Sequence, residues 1–441
     1  MQPKPQSRDA FELFQSHFDQ LLNPRHELIQ LARKVDWGRF EAAYAGQYSP
    51  DMGAPGKATR LMVGLHYLKH TFNESDESVV ARWVENPYWQ YFCGYTHMQH
   101  VCPIHPTSMT KWRKRVGPER LKEMQGETIA VAHREGYVSK ADLERVNVDT
   151  TVQEKNVTFP TDSKLLYRAI GRLVHAAKSR GLELRQSYLR VGKIAAIKVS
   201  RYAHARQFKR MQRSLRKLRT YVGRLIRDIR RKAGEPDAAL TTLLERADRI
   251  RQQRSHDTHK LYSLHEPEVQ CISKGKAHKR YEFGQKIAIA TTNRGNWTVV
   301  AQLLPGNPYD GHTLVETLAA IESVTGVAVT DAYVDKGYRG HGVAGPTRVH
   351  VAGQRGSPSR AERKRRRRRS AIEPKIGHLK SDHRMDRCYL KGLTGDAINA
   401  VLAAASSNLR KLLRRLAAAQ IQWLKLLLTA HSTSTRFALC G

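Results

Sequence analysis

Acidic residues are scarce in this 441-residue chain: 40 Asp and Glu stand against 76 Lys and Arg, a formal net charge of +36. Such an excess repels itself in a folded chain, which argues against a partner of like charge and calls for a polyanionic one, nucleic acid first. Charge for solubility alone, or a ribosome-like scaffold, is the plainer alternative. Long apolar runs are missing as well. No stretch reaches the roughly 18 apolar residues that a membrane-spanning helix needs, and the nearest, Trp423 to Ala430, is far too short. The first residues, Met-Gln-Pro-Lys-Pro-Gln-Ser-Arg-Asp, lack the apolar core of a signal peptide. Cysteine is sparse: Cys93, Cys102, Cys271, Cys388 and Cys440 are odd in number and scattered, as expected of reduced thiols in the cytoplasm. Cys93, His97, His100, Cys102 and His105 do crowd together, but their spacing lacks the close pairs of a structural zinc site. The neighbouring Tyr88, Trp89, Tyr91, Phe92 and Tyr95 make core and loop the better reading.

Three of the scarce acids occupy distinctive places. Asp149 ends the run Val-Asn-Val-Asp, Asp335 ends Ala-Tyr-Val-Asp, and Glu373 lies on a helix-like stretch with Arg369 four residues before it and Lys380 seven after. At 3.6 residues per turn those offsets set Arg369, Glu373 and Lys380 on one face. Carboxylates converging from two strand ends and a helix, in so basic a chain, suggest a divalent-metal site acting on nucleic acid. By spacing alone Glu373 has an equal second reading, because Ser370 and Glu373 form a capping-box pattern with Pro374 behind.

Residues 57 to 94 read as two or three helices. Leu61, Leu65, Leu68 and Phe72 recur at helical spacing, Asn73-Glu74-Ser75-Asp76 makes a turn and cap, and Val79, Val80, Trp83 and Val84 begin a second amphipathic run. The pair permits a DNA-reading helix-turn-helix or an ordinary helical hairpin. A third helix follows Pro106-Thr107-Ser108, with Lys111, Arg113, Lys114 and Arg115 as phosphate contacts or a solvated face. From Arg145 the period becomes two, as in a strand. A long helical detour then carries Phe208, Met211, Leu215, Leu218, Val222, Leu225 and Ile229 at heptad spacing. That seam suits a dimer interface or internal packing, and its dense Lys and Arg flanks over 204–232 suit a DNA backbone or solvent.

Strands resume at Val269–Ser273, Tyr281–Thr292 and Trp297–Leu304 around the turn signal Asn293-Arg294-Gly295-Asn296. A helix over Thr313–Thr325, a strand over Val327–Val334 and a short strand over Val349–Ala352 complete a mixed α/β layer pattern. The loop Lys336-Gly337-Tyr338-Arg339-Gly340 after Asp335 can approach a phosphate closely, placing Lys336 and Arg339 there. A basic loop with seven consecutive cations, Arg363 to Arg369, precedes the helix of Glu373. The expected segments are an N-terminal helical DNA-binding region (1–135), a first piece of core (140–162), a basic helical insertion (163–262), the remaining core (263–410) and a C-terminal helix and tail (411–441).

Five motifs in this order resemble the DDE transposases of bacterial insertion sequences, in the group named after insertion sequence five. They are Asn147-Val-Asp-Thr-Thr-Val-Gln-Glu-Lys-Asn156, Lys274-Gly-Lys-Ala-His-Lys279, Leu304-Pro-Gly-Asn-Pro-Tyr-Asp-Gly-His312, Val334-Asp-Lys-Gly-Tyr-Arg-Gly-His341 and Ile372-Glu-Pro-Lys-Ile-Gly-His-Leu-Lys380. The resemblance covers roughly residues 57 to 410. It implies a ribonuclease-H-like mixed sheet with Asp149, Asp335 and Glu373 as catalytic and metal-binding triad. The related signature of Tyr, Arg, Glu and Lys maps to Arg369, Glu373 and Lys380, with Arg366 in the Tyr slot. Carboxylates suit Mg²⁺, so two Mg²⁺ ions are expected, with Mn²⁺ as substitute. Implied DNA contacts are Arg369, Lys380, Lys336, Arg339, Lys274, Lys276, Arg113 and Arg115. The implied partners are terminal inverted repeats and target DNA, with a homodimer to bring two ends together, in a cytoplasmic, nucleoid-associated protein without membrane contact. A nuclease without strand transfer, or a non-catalytic DNA-binding relic of a mobile element, are the rival readings.

Overall fold

The computed structural model describes residues 16–49, 55–254, 256–273, 280–354 and 357–437. Lys274, Lys276 and Cys440 lie outside them. The chain divides into two compact units, one of Met1–Glu154 with Gln285–Gly441 and one of Lys155–Gly284. The division falls eight residues before and 22 after the 163–262 expected for an insertion.

In the first unit the chain opens with helices α1 (Phe18–Leu21), α2 (Glu27–Lys34), α3 (Trp37–Tyr44), α4 (Thr59–Thr71), α5 (Asp76–Glu85), α6 (Pro87–Phe92), α7 (Pro106–Arg134) and α8 (Lys140–Leu143). The turn signal before α5 forms as read: Ser75 caps the helix in a reciprocal box with Ser78, and Asn73 takes a left-handed φ of 60°. Helix α7 is two helices joined at Gly117, whose φ of 76° only glycine adopts freely, with Pro118 restarting the second.

The pair that permits a helix-turn-helix or an ordinary hairpin shows few basic residues to solvent. Helix α4 is buried along nearly its whole length, and α5 shows solvent Glu77, Ala81, Arg82 and Glu85. Acids at the start of α5 would repel phosphate. The first half of α7 instead exposes Thr107, Thr110, Lys111, Lys114 and Arg115 while burying Met109, Trp112, Arg113 and Val116.

The strands are β1 (Arg145–Lys155), β3 (Tyr281–Thr292), β4 (Thr298–Leu304), β5 (Asp331–Val334), β6 (Arg348–Val351) and β7 (Arg387–Cys388), with β2 (Gln270–Ser273) in the second unit. The order is β4-β3-β1-β5-β6, with β7 also on β1. Strands β3 and β4 pair antiparallel, whereas β1–β5 and β5–β6 are parallel. This is a ribonuclease-H-like mixed sheet. Strand β5 is half the length that its apolar run predicted, because Val327 to Val329 remain in an extended approach.

One core joins the N-terminal helices to this sheet. Leu31 of α2, Leu65 and Leu68 of α4 and Met124 of α7 pack in one cluster with Val146, Val148, Ala332 and Val334 of the strands. Leu314 and Ile321 of α13 (Leu314–Thr325) and Leu402 and Leu409 of α16 (Gly392–Phe437) complete it. The helical N-terminus therefore shares its main core with the sheet, beside a small cluster of its own around Phe18, Leu22 and Ile29, and α16 runs unbroken across residue 411. On the opposite sheet face, Ile287 and Ile289 meet Ile372 and Leu379 of α15 (Ile372–Asp382).

The second unit holds α9 (Asp162–Lys178), α10 (Leu189–His204), α11 (Phe208–Ala233) and α12 (Ala238–Gln252). The heptad seam is used inside it: Leu215, Leu218, Val222, Leu225 and Ile229 are buried against α9, α10 and α12. It thus leaves no apolar stripe there for a second copy. The outer face of α11 exposes Lys209, Arg210, Arg213, Arg216, Lys217, Arg224, Arg227, Arg230, Arg231 and Lys232.

Among the described residues no helix is long and apolar enough to cross a membrane. Among the described residues Cys93, Cys102, Cys271 and Cys388 form no disulfide with one another.

Asp76 ties α4, α5 and α7 together. Its Oδ1 and Oδ2 accept from Arg113 Nη1 at 2.9 Å and Nη2 at 2.6 Å, and Oδ1 also accepts from Lys69 Nζ at 2.8 Å. Burial opposes its ionisation, but the hydrogen bonds and charges of Arg113 and Lys69 outweigh burial and hold the carboxyl well below its ordinary range. The expectation that Arg113 meets DNA is corrected here, since its side chain is 3% exposed and its guanidinium is committed to Asp76. Asp76→Asn should cost about 3–5 kcal/mol at neutral pH, measured by denaturant unfolding, because two buried cations lose their counter-charge. A depressed carboxyl stabilises the fold above its unfolded pKa and ceases to do so as pH falls through its folded value. The gap between variant and parent should therefore be full at neutral pH and close only in strong acid.

Candidate functional site

Strand pairing places the first two acids. Parallel register matches Arg145 with Asp331, Val146 with Ala332 and Asn147 with Tyr333, and two further residues bring Asp149 level with Asp335. Side chains alternate along strands, so Asn147 and Asp149 face away from the core that takes Val146 and Val148. The strand-end expectation holds for Asp335, immediately after β5, and is corrected for Asp149, which sits mid-strand in β1. Asp149 Oδ1 accepts from the Thr150 amide at 2.7 Å, and Asp335 Oδ1 accepts from the Gly337 amide at 2.9 Å, capping a short 3₁₀ turn.

Glu373 reaches the same side of the sheet on α15. The cationic run before it is a helix, α14 (Arg360–Arg368), where a loop was expected. Glu362 offsets part of its repulsion by pairing with Arg366, and the sheet supplies acceptor-seeking amides. Asn147 Nδ2 donates to Arg368 O at 3.2 Å, Asn293 Nδ2 to Arg365 O at 3.0 Å, and Asn296 Nδ2 to Ala371 O at 2.8 Å. Asn293 also donates to Asn147 Oδ1 at 2.7 Å. His350 extends the anchorage, meeting Asp331 at 2.8 Å and Glu362 at 3.4 Å. Burial opposes the ionisation of Asp331, but bonds and charge from His350 and Arg348 outweigh it and draw its carboxyl down.

A single 3₁₀ turn, Arg369–Ala371, joins α14 to α15. Ser370 Oγ donates to Arg367 O and no side chain caps α15, so the capping-box reading of Glu373 is not realised. Glu373 stays 64% exposed, with Arg369 Nη2 3.8 Å from its Oε1. Lys380 lies two turns further along α15. Lys336 and Arg339 are exposed on the turn after Asp335, and Arg115 is exposed on α7.

A fourth carboxylate, Asp310, completes the surroundings. Its Oδ1 accepts from Thr150 Oγ1 and Lys286 Nζ, each at 3.0 Å. A Cβ at Gly337 would lie 3.1 Å from Asp335 Oδ1 and 3.5 Å from Asp310 Oδ2, so glycine is what lets the two carboxylates approach this turn. Tyr338 is buried here; burial and then the charges of Asp149, Asp310 and Asp335 push its hydroxyl well above the usual range. The Asn307-to-His312 motif contained Asp310, but a lone Asp after a loop gives no sequence signal of its partners. Asn147 was legible in principle, two residues before Asp149 on the same strand face.

The donor set is all oxygen, which suits a hard divalent cation. Among the described residues no three His, Cys, Asp or Glu side chains stand close enough to cage an ion as they are placed. Mg²⁺ keeps several waters and needs only one or two protein carboxylates, so a pair such as Asp149 and Asp335 fits it, with Glu373 facing solvent on the adjoining helix.

Comparison with known proteins agrees with this architecture. A family described as a transposase domain matches residues 16–115, and one described as a transposase DDE domain matches residues 250–409. The chain is 52% identical over 208 residues, 47% of its length and the whole of the relative, to a Rhizobium meliloti protein described as uncharacterized protein ORF8 in nfe locus. No solved structure matches. The chain belongs to the DDE transposases, the enzymes of insertion sequences.

Asn293→Ala should cost about 1–3 kcal/mol by leaving the buried Asn147 carbonyl without its donor and freeing Arg365 O. Hydrogen exchange of α14 amides should speed up in the variant while that of β1 stays slow.

Proposed function

We propose that this chain is the transposase of an insertion sequence in the insertion-sequence-five group, binding the element's terminal inverted repeats, cutting its ends and joining the 3′-ends to target DNA. The observation that supports this most is the β1–β5 register, which sets Asp149 beside Asp335 on the sheet face that also receives α15 with Glu373. Asp149 and Asp335 would hold divalent cations, Mg²⁺ or Mn²⁺, and Glu373 would join them when DNA displaces the water around its exposed carboxylate. Two cations bound there would supply Lewis acidity to the phosphodiester, assisting both the attacking and the leaving oxygen.

The remaining roles follow from charge and position. Arg369 is 21% exposed beside Glu373, and with Lys380 it neutralises phosphate next to the reacting bond. Lys336 and Arg339 flank Asp335 and steady the strand from the sheet side. The exposed half of α7, with Lys111, Lys114 and Arg115, is better suited than α5 to read the repeat, and the outer face of α11 suits the DNA backbone. The resemblance adds Lys274 and Lys276, which lie outside the described residues, as further DNA contacts. A homodimer satisfies the need to hold two element ends, with an interface other than the seam of α11.

Purified full-length protein, labelled end DNA and Mg²⁺ should give nicked and joined products. Asp149→Asn, Asp335→Asn and Glu373→Gln should each remove several kcal/mol of transition-state stabilisation, about a hundredfold or more in rate. End-DNA affinity should not fall, since each change removes a negative charge. Full activity in any one of the three would remove that residue from the triad, and cleaved ends without joined product would make the chain a nuclease. Binding should weaken with salt along a straight line of log affinity against log concentration.

A further inference from the structure

The best-connected group that the triad leaves without a role is Asp310. Its two oxygens are used differently. Oδ1 is bound on one side by Thr150, the residue after Asp149, and on the other by Lys286 of β3, which also donates to Pro308 O at 2.7 Å. Oδ2 has no hydrogen-bond donor among the described residues and points toward the turn where Asp335 Oδ1 lies. The segment bearing Asp310 is latched to the loop after Asp335: Tyr309 Oη donates to Arg339 O at 3.1 Å, and a Cβ on Gly311 would come within 3.0 Å of that same oxygen.

A cluster of acids alone identifies nothing, but a second feature stands on the same turn, three residues after Asp335. The hydroxyl of Tyr338 is fully buried and stands beside Thr313 without a hydrogen bond of proper geometry. The charges that act on it are those of Asp149, Asp310 and Asp335. A buried donor without a partner of proper geometry is costly unless a further polar species completes the arrangement. Three carboxylates, of which Asp310 has a lysine bonded to it, favour a cation with its water as that species.

We propose that Asp310 is a fourth carboxylate of the catalytic site, a positioning residue that fixes β1 beside Asp149 through Thr150 and turns its free Oδ2 toward the cation shared by Asp149 and Asp335. It raises the affinity of that site for a divalent cation without being one of the triad. Lys286 restrains it by holding Oδ1, so that only Oδ2 faces the site. This rests on the metal-site reading above, and the test separates the two.

Mn²⁺ binding to the full-length protein without DNA is measured by calorimetry for the parent, Asp149→Asn, Asp310→Asn and Asp310→Glu, with melting temperatures in metal-free buffer alongside. Removing a residue that orients metal ligands lowers affinity about ten- to a hundredfold. The expected result is that loss for Asp310→Asn, partial recovery for Asp310→Glu, and a metal-free melting temperature for both close to that of the parent. Should Asp310→Asn fail to fold, Asp310→Ser is read the same way. A parent-like Mn²⁺ affinity in Asp310→Asn, with affinity lost in Asp149→Asn, overturns the role of Asp310 and leaves the metal site standing. No Mn²⁺ binding by the parent overturns both.

Discussion

Everything at the site depends on the parallel pairing of β1 with β5. Parallel strands need a long crossover, and here it is a large one: the second unit, β3, β4 and α13 all intervene between the two partners. The reward is that residues 186 positions apart fall level with one another. A slip of one residue would turn Asp149 into the core and Val148 into the site, and the buried face with Val146, Val148, Ala332 and Val334 forbids it. Apolar packing on one side of the sheet thus sets the geometry of charge on the other.

The polar side is held by a different means. Asn147 and Asn293 reach from the sheet and its hairpin turn to backbone carbonyls of a helix that would otherwise be a poor one, with cations at six successive positions, and Asn296 reaches the 3₁₀ turn after it. Amides suit this task because they are uncharged. A carboxylate in their place would pair with the arginines and take charge from the helix surface, whereas an amide fixes the helix and leaves its side chains unneutralised.

Much of this was readable from the chain alone, for definable reasons. Helix α5 with its Ser75 cap, the hairpin around Asn293–Asn296, the seam of α11 and the strand at Asp149 rest on local chemistry or on periodicity, which sequence carries directly. The errors are nonlocal. The run Arg363–Arg369 reads as a loop because its repulsion is visible and the asparagines that restrain it are not. Arg113 reads as a surface cation because its partner, Asp76, lies 37 residues away. Asp310 sits 160 residues from Thr150 and had no local sign of its role. The compact units differ from the expected segments for the same reason: whether helices share a core with a sheet is decided by packing, and Leu65 looks the same in either case.

The helix of seven cations has a further consequence, for local order. Its anchors are a few hydrogen bonds of roughly 1 kcal/mol each, set against like-charge repulsion of comparable size. Added salt screens the repulsion, and a polyanion cancels it outright. The free energy of opening this segment is therefore a function of ionic surroundings, lowest in dilute buffer and highest against a phosphate backbone. Since α15 continues from it through one 3₁₀ turn, the firmness with which Glu373 is held would vary with the ionic surroundings of α14. A bound polyanion, in this sense, would be part of the scaffold that orders Glu373.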